Sequence, residues 1–132
     1  MSKKEQKEMD FEIEFYEGII SKRRDFIEAL IALGDLYTKR GSFSKGLDVD
    51  KRLAQLRTDD PYIFYNLACS HSLLNNIEEA LAAIKKAIDI GYDDFKFLES
   101  DDDLVNLRRD KRFIIFYSKI KTPDDAANNQ IT

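Results

Sequence analysis

The chain repeats itself with a period of 34 residues between residues 27 and 94. Leu30 falls on Phe64 and Gly46 falls on Ala80, so large apolar residues align with large ones and small residues with small ones. A unit of this length cannot bury its apolar face alone and does so by stacking on its neighbour. The period therefore predicts a stack of similar units with a shared core.

Each repeating unit has the apolar spacing of helices. Apolar residues recur at steps of three and four, which places them on one helix face. Gly41-Ser42 and Asn75-Asn76 mark turns, and Asp60-Pro61 combines a capping side chain with a proline suited to a first helical turn. The pattern predicts four helices, over residues 27–39, 44–56, 61–73 and 77–90.

The same register continues upstream of the two full units. Tyr16, Ile19 and Ile20 lie one period before Asp50, Leu53 and Ala54 of the predicted helix 44–56, which indicates a helix near 8–22. Phe11 and Phe15 lie on this terminal helix, and aromatic residues left exposed there would be a surface for self-association.

These patterns define the domain organisation. We predict one helical domain over residues 8–120, preceded by a flexible N-terminus and followed by a disordered tail without apolar periodicity. In chain order the predicted segments are the N-terminus 1–7, a half unit 8–26, repeats 27–60 and 61–94, capping helices 95–120 and the tail 121–132.

The motif Leu33-Gly34-x-x-Tyr37, followed by Gly41, Phe43 and Gly46, resembles the tetratricopeptide repeat. The resemblance implies an all-α fold of antiparallel helix-turn-helix repeats, stacked in a right-handed superhelix as an α-solenoid. The chain departs from the family pattern at a few packing and helix-end positions. These positions are Asp50, Thr58, His71 and Tyr92.

The stretch DDDLVNLRRDKRF resembles the ending that follows the last repeat in many bacterial proteins of this kind. The pattern predicts two short capped helices. Asp101 would cap a helix carrying Leu104 and Leu107, and Asp110 would cap another. The apolar residues of that second helix are Phe113, Ile114, Tyr117 and Ile120. Both helices would cover the open end of the stack.

The composition argues against several kinds of partner and compartment. The 21 basic and 25 acidic side chains give a net charge of −4, whereas nucleic-acid binding needs a basic surface. No run approaches the roughly 18 apolar residues of a membrane helix, no signal peptide is visible, and a single cysteine forms no internal disulfide. We expect a cytoplasmic protein without nucleic-acid or membrane partners.

The residue types of catalytic and metal sites are sparse. Cys69 and His71 are the only cysteine and histidine, and two positions on a helix differ by about 200°, so they cannot act as a nucleophile–base pair. We interpret His71 as a packed or capping residue and Cys69 as a small apolar filler. The acidic residues at 93–94 and 101–103 lack the ligand spacing of a calcium loop. We predict no enzyme activity, no catalytic residues, no metal and no cofactor.

The family resemblance implies a peptide-binding groove lined by the first helix of each repeat. Its predicted residues are Glu28, Ile31, Asp35, Thr38, Lys39, Tyr62, Tyr65, Asn66, Cys69 and Ser72. Ile31 and Asp35 depart from the pattern that clamps acidic chaperone C-termini, and Glu28 and Asp35 favour a neutral or basic segment. Two alternatives stay open: Tyr65 and Asn66 only pack neighbouring helices, or the chain is a self-assembling subunit that dimerises through its terminal helices.

Overall fold

The computed structural model describes residues 1–120, and within that range it is all helical, without strands. The helices, in chain order, are α1 (Lys3–Lys22), α2 (Ile27–Arg40), α3 (Phe43–Leu56), α4 (Pro61–Leu73), α5 (Ile77–Asp89), α6 (Phe95–Ser100), a 3-10 turn (Asp102–Leu104), α7 (Val105–Arg109) and α8 (111–120). Each of the long helices packs on the next one along the chain. The predicted fold class, an all-α repeat solenoid with capping helices, is confirmed.

The two central hairpins, α2–α3 and α4–α5, have the predicted bounds to within one residue at every end. Their turns are built alike: Gly41 has a φ of 85° and Asn75 has a φ of 60°, the left-handed conformation in which a helix exits. Asp60 caps α4 by accepting a hydrogen bond of 3.0 Å from the Tyr62 amide. The turn signals in the sequence therefore have the structural roles that were predicted.

Helix α1 begins at Lys3, five residues before the predicted start, so most of the segment predicted to be flexible is helical. The reason is local: the Ser2 hydroxyl accepts a hydrogen bond of 3.1 Å from the Glu5 amide and so caps the first turn. Ile13, Tyr16 and Ile20 then pack α1 onto the core. The predicted tail, 121–132, lies outside the described residues.

Most of the buried apolar side chains form two clusters. The N-terminal cluster consists of Leu30, Leu33, Tyr37, Val49, Leu53 and Ile63. The C-terminal cluster consists of Tyr65, Ala68, Cys69, Ala80, Ala83, Ile84, Ala87, Tyr92, Leu98, Leu104, Leu107 and Phe113. Helix α4 supplies Ile63 to the first cluster and Tyr65 to the second, so it is the central helix of the stack.

The C-terminal end of the stack is closed as predicted, with one addition. The Asp101 side chain accepts a hydrogen bond of 3.0 Å from the Asp103 amide, and Leu104 and Leu107 are fully buried behind it. Asp110 caps α8, where Phe113 is buried but Ile114 is exposed. The addition is α6, a separate short helix that is capped by the Asp94 side chain.

No helix within residues 1–120 combines the length and the apolar character that are needed to cross a membrane.

Candidate functional site

A concave cavity of about 510 Å³ opens between α2 and α4 and is closed on a third side by the segment from α6 to the 3-10 turn, here called the capping segment. We call this cavity the groove. From α2 and α3 it is lined by Ile31, Ala32, Gly34, Asp35, Thr38, Asp50 and Leu53. From α4 and the residue before it, the lining residues are Asp60, Tyr62, Ile63, Tyr65, Asn66, Cys69 and Ser70. The capping segment adds Phe97, Asp101 and Asp103.

Most of the predicted groove residues meet in this cavity. Those that line it are Ile31, Asp35, Thr38, Tyr62, Tyr65, Asn66 and Cys69. Glu28 and Lys39 are exposed outside it, and Lys39 forms an ion pair of 2.9 Å with Asp35. The placement of Ser72 was wrong: it is fully buried, and its hydroxyl accepts a hydrogen bond of 3.1 Å from the Leu107 amide because α7 packs over it.

Large apolar side chains stand exposed at the rim of the groove. Tyr62 is 63% exposed, Phe97 is 52% exposed and Ile31 is 48% exposed. Tyr62 is held edge-on against Tyr92, with ring centroids 5.9 Å apart. Exposed aromatic side chains at the edge of a cavity bury much apolar area against a partner for a small loss of side-chain entropy.

Tyr65 forms the wall between the groove and the C-terminal cluster. It is buried, its ring stacks on Tyr92 at 4.3 Å, and its hydroxyl donates a 2.7 Å hydrogen bond to Asp101 Oδ2. Burial and the nearby Asp101 carboxylate raise the pKa of Tyr65, so it stays a neutral donor. Tyr65 therefore packs helices and also fixes one groove carboxylate, whereas Asn66 is exposed to the groove.

The charged side chains that line the groove are all acidic. They are Asp35, Asp50, Asp60, Asp101 and Asp103, and no Lys, Arg or His within residues 1–120 lines the cavity. The pKa of Asp103 is raised by burial and by three neighbouring carboxylates, those of Asp101, Asp102 and Asp35. The groove thus combines an apolar rim with a negative interior formed by Asp50, Asp101 and Asp103, whereas Asp35 is exposed.

Asp50 lies at the floor of the groove and is only 6% exposed. The Ser70 hydroxyl donates a hydrogen bond to its Oδ2, and no described residue donates to Oδ1. Every fully buried side-chain oxygen of the described residues has a partner, so Oδ1 keeps access to the cavity. Asp50 forms no ion pair within the described chain. Burial raises its pKa to about 6, and the bond from Ser70 opposes that rise.

The sequence interpretation of Cys69 and His71 agrees with their positions. His71 is buried between α4 and the turn, 3.3 Å from the side-chain amide of Asn76, and its pKa is lowered mainly by burial. Cys69 is buried, and its pKa is raised by burial and then by the nearby carboxylates of Asp101 and Asp103. A neutral thiol of this kind is a poor nucleophile.

The candidate self-association residues are exposed on α1. Phe11 is 72% exposed and Phe15 is 58% exposed. Both lie on the side of α1 that faces away from α2, since the side toward α2 carries Ile13, Tyr16 and Ile20.

Sequence reasoning missed the third wall of the groove. Phe97 and Asp103 come from the capping segment, 24 and 30 residues beyond the end of α4 at Leu73, and a non-local contact of this kind leaves no periodic signal. The capping motif identified Asp101, but only as a helix cap. Asp50 stood out as a departure from the family pattern, and that departure was the available signal for the carboxylate at the floor.

The fold and the groove together define an all-helical repeat solenoid with one acidic, aromatic-rimmed cavity among the described residues. No protein-family model matches the chain. Over 49 residues, which are 37% of the chain, the sequence is 47% identical to a protein of Arabidopsis thaliana that is chloroplastic by name. The matched part amounts to 15% of the length of that protein, so the likeness covers a small portion of it.

Proposed function

We propose that the chain is a non-catalytic interaction module of the tetratricopeptide type, which binds a segment of another protein in the groove. The observation that carries the proposal is the cavity with its exposed rim of Tyr62, Phe97 and Ile31. Concave sites with apolar walls and a few fixed polar groups are the usual form of a binding site. Tyr65, Asp101 and Asp50 supply those polar groups in a rigid setting.

The size of the groove bounds the partner segment. Helix α4 has 13 residues and is therefore about 20 Å long at 1.5 Å per residue. An extended segment of roughly six residues spans this length. Such a footprint is small compared with a standard protein interface, and we expect a dissociation constant in the micromolar range.

The test is affinity capture from a lysate of the source organism, followed by direct titration with the captured partner. We compare the wild type with an Ile31→Ala, Tyr62→Ala variant, because both side chains are exposed and their removal leaves the core intact. Ile114→Ala, Ile115→Ala is the matched control, since these side chains are equally exposed but lie on α8.

We expect the groove variant to bind the partner at least tenfold more weakly, while the control binds like the wild type. Circular dichroism of all three proteins verifies the fold. Equal affinity of the groove variant and the wild type would contradict the proposal.

A second candidate function is self-assembly through the terminal helices, and the exposure of Phe11 and Phe15 favours it. Light scattering measures the molar mass of the chain in solution. A homodimer that reverts to a monomer in the Phe11→Glu, Phe15→Glu variant would support this function. A monomer at the highest soluble concentration would exclude it.

We propose the cytoplasm as the compartment of the chain. The Arabidopsis relative reported above is chloroplastic by name. Fractionation of source cells, with an antibody against the chain, distinguishes the cytosol from an organelle.

A further inference from the structure

The interior of the groove carries charge of one sign that the chain itself leaves largely uncompensated. Within the described chain Asp35 pairs with an exposed lysine, and the Asp60 side chain caps α4. Asp103 and Asp50 have no cationic partner among the described residues. The Asp101 carboxylate accepts only from neutral donors, and the Arg108 guanidinium donates to the Asp101 backbone carbonyl. Carboxylates gathered in a partly desolvated cavity repel one another, and a bound cation relieves that repulsion.

Asp50 is independent evidence that the cavity suits a positively charged group. A carboxylate that is more than nine-tenths buried normally has an ion pair or several hydrogen bonds. Asp50 has one donor, Ser70, and its free oxygen Oδ1 reaches the groove. A further donor to Oδ1, whether water or a bound group, therefore approaches from the cavity side.

The apolar part of the groove determines what kind of cation fits. Tyr62, Phe97 and Ile31 stand at the rim, above the acidic interior. Lysine and arginine side chains match this arrangement, because each has an aliphatic stem that ends in a cationic head. The stem would pack on the rim, and an arginine or lysine head also interacts favourably with aromatic faces.

From these observations we infer that the groove selects a lysine or arginine side chain within the partner segment. The capping segment, through Phe97, Asp101 and Asp103, supplies one wall of this specificity pocket. The inference rests on the proposed function, because it specifies the segment that the same groove binds. The partner is therefore a peptide segment with a basic residue flanked by apolar ones, and a neutral segment binds more weakly.

The probe is a displayed library of random heptapeptides, selected on the full chain and, in a separate parallel selection, on the Asp35→Asn, Asp103→Asn variant. Both substitutions keep the side-chain shape, and neither side chain caps a helix. Asp48→Asn, Asp89→Asn is the matched control, because it changes the net charge equally at exposed positions on α3 and α5. Enriched peptides are synthesised with the basic residue and with a neutral isostere, citrulline or norleucine, and titrated by fluorescence anisotropy.

We expect the enriched peptides to share one lysine or arginine, and the neutral isostere to weaken binding at least tenfold, the loss typical of a charge-assisted hydrogen bond. Asp35→Asn, Asp103→Asn should weaken the basic peptide by a similar factor and leave the neutral one unchanged. The control variant should bind like the wild type. Raised salt should weaken only the basic peptide.

Three results would overturn the inference, and they are distinguishable from one another. Enriched peptides without a basic preference, which still lose affinity with Tyr62→Ala, would refute the charge selection and leave the proposed function standing. A basic preference that is the same in the Asp35→Asn, Asp103→Asn variant would show that these carboxylates do not set it. If the wild type enriches no peptide at all, the result counts against the proposed function as well.

Discussion

The buried carboxylate of Asp50 should make the folded chain less stable at neutral pH than it is when that group is uncharged. Burial raises the pKa of Asp50 from 3.8 to about 6, so its ionisation costs the folded state about 3 kcal/mol relative to the unfolded chain. Above pH 6 the carboxylate is ionised in both states, and the full cost applies. As the pH falls from 6 toward 4, the folded state takes up the proton first and gains stability.

Asp50→Asn removes this charge and keeps an oxygen that can accept from the Ser70 hydroxyl. We therefore expect the variant to be more stable than the wild type by about 1–3 kcal/mol at pH 7 and by almost nothing near pH 4. Urea unfolding followed by circular dichroism measures the difference at both pH values. The comparison uses the difference in unfolding free energy between the variant and the wild type at each pH, because titration of the other carboxylates affects the two proteins alike.

Asp48→Asn is the control for Asp50→Asn. It removes an equal charge from an exposed position on the same helix, and it should change the free energy of unfolding by less than about 0.5 kcal/mol. The reasoning would be refuted if Asp50→Asn were less stable than the wild type at pH 7, or if the stability difference were the same at both pH values.

Three further predictions concern the stack itself. Gly41→Ala should lower the free energy of unfolding, measured in urea, by about 1–2 kcal/mol, because Gly41 has a φ of 85°. Gly18→Ala, on the open face of α1, should raise it by about 0.5–1 kcal/mol. A lower stability in both variants would contradict the argument. Ser72→Ala should cost about 1–3 kcal/mol in the same assay, since it leaves the Leu107 amide buried without an acceptor, and an unchanged midpoint would mean that water replaces the hydroxyl. Cys69 should react with a thiol reagent at pH 8 much more slowly in the folded chain than in urea, and equal rates would contradict its burial and its raised pKa.

Repeat periodicity was sufficient to predict the helices that bury apolar faces. Helices α2 to α5 have their expected bounds because each lies between clear turn signals. The apolar stripe is clearest in α3 and α5, whereas the central helix α4 is apolar on most of its faces. The first turns of α1 were missed for the opposite reason. Residues 3–7 are all polar, so the helix there depends on the Ser2 cap and on local propensity, which the apolar pattern does not report.

The groove could be predicted only where it depends on one helix face. Ile31, Asp35 and Tyr62 follow from the family resemblance, and their spacing along α2 and α4 agrees with it. Contacts of the capping segment and of α7 with α4 join residues more than 30 positions apart, and they account for two errors of the site prediction. The capping segment adds Phe97 to the groove, and α7 buries Ser72.

The division of the core into two clusters has a consequence for how the chain opens. The N-terminal and C-terminal clusters meet at α4, so each half can lose its amide protection at its own rate, as expected for a short linear array. The groove spans that boundary, with Ile31 on one side and Phe97 on the other. An occupant that contacts both must be released before either half opens, so its binding energy would appear as slower hydrogen exchange in both halves and as a more cooperative unfolding transition.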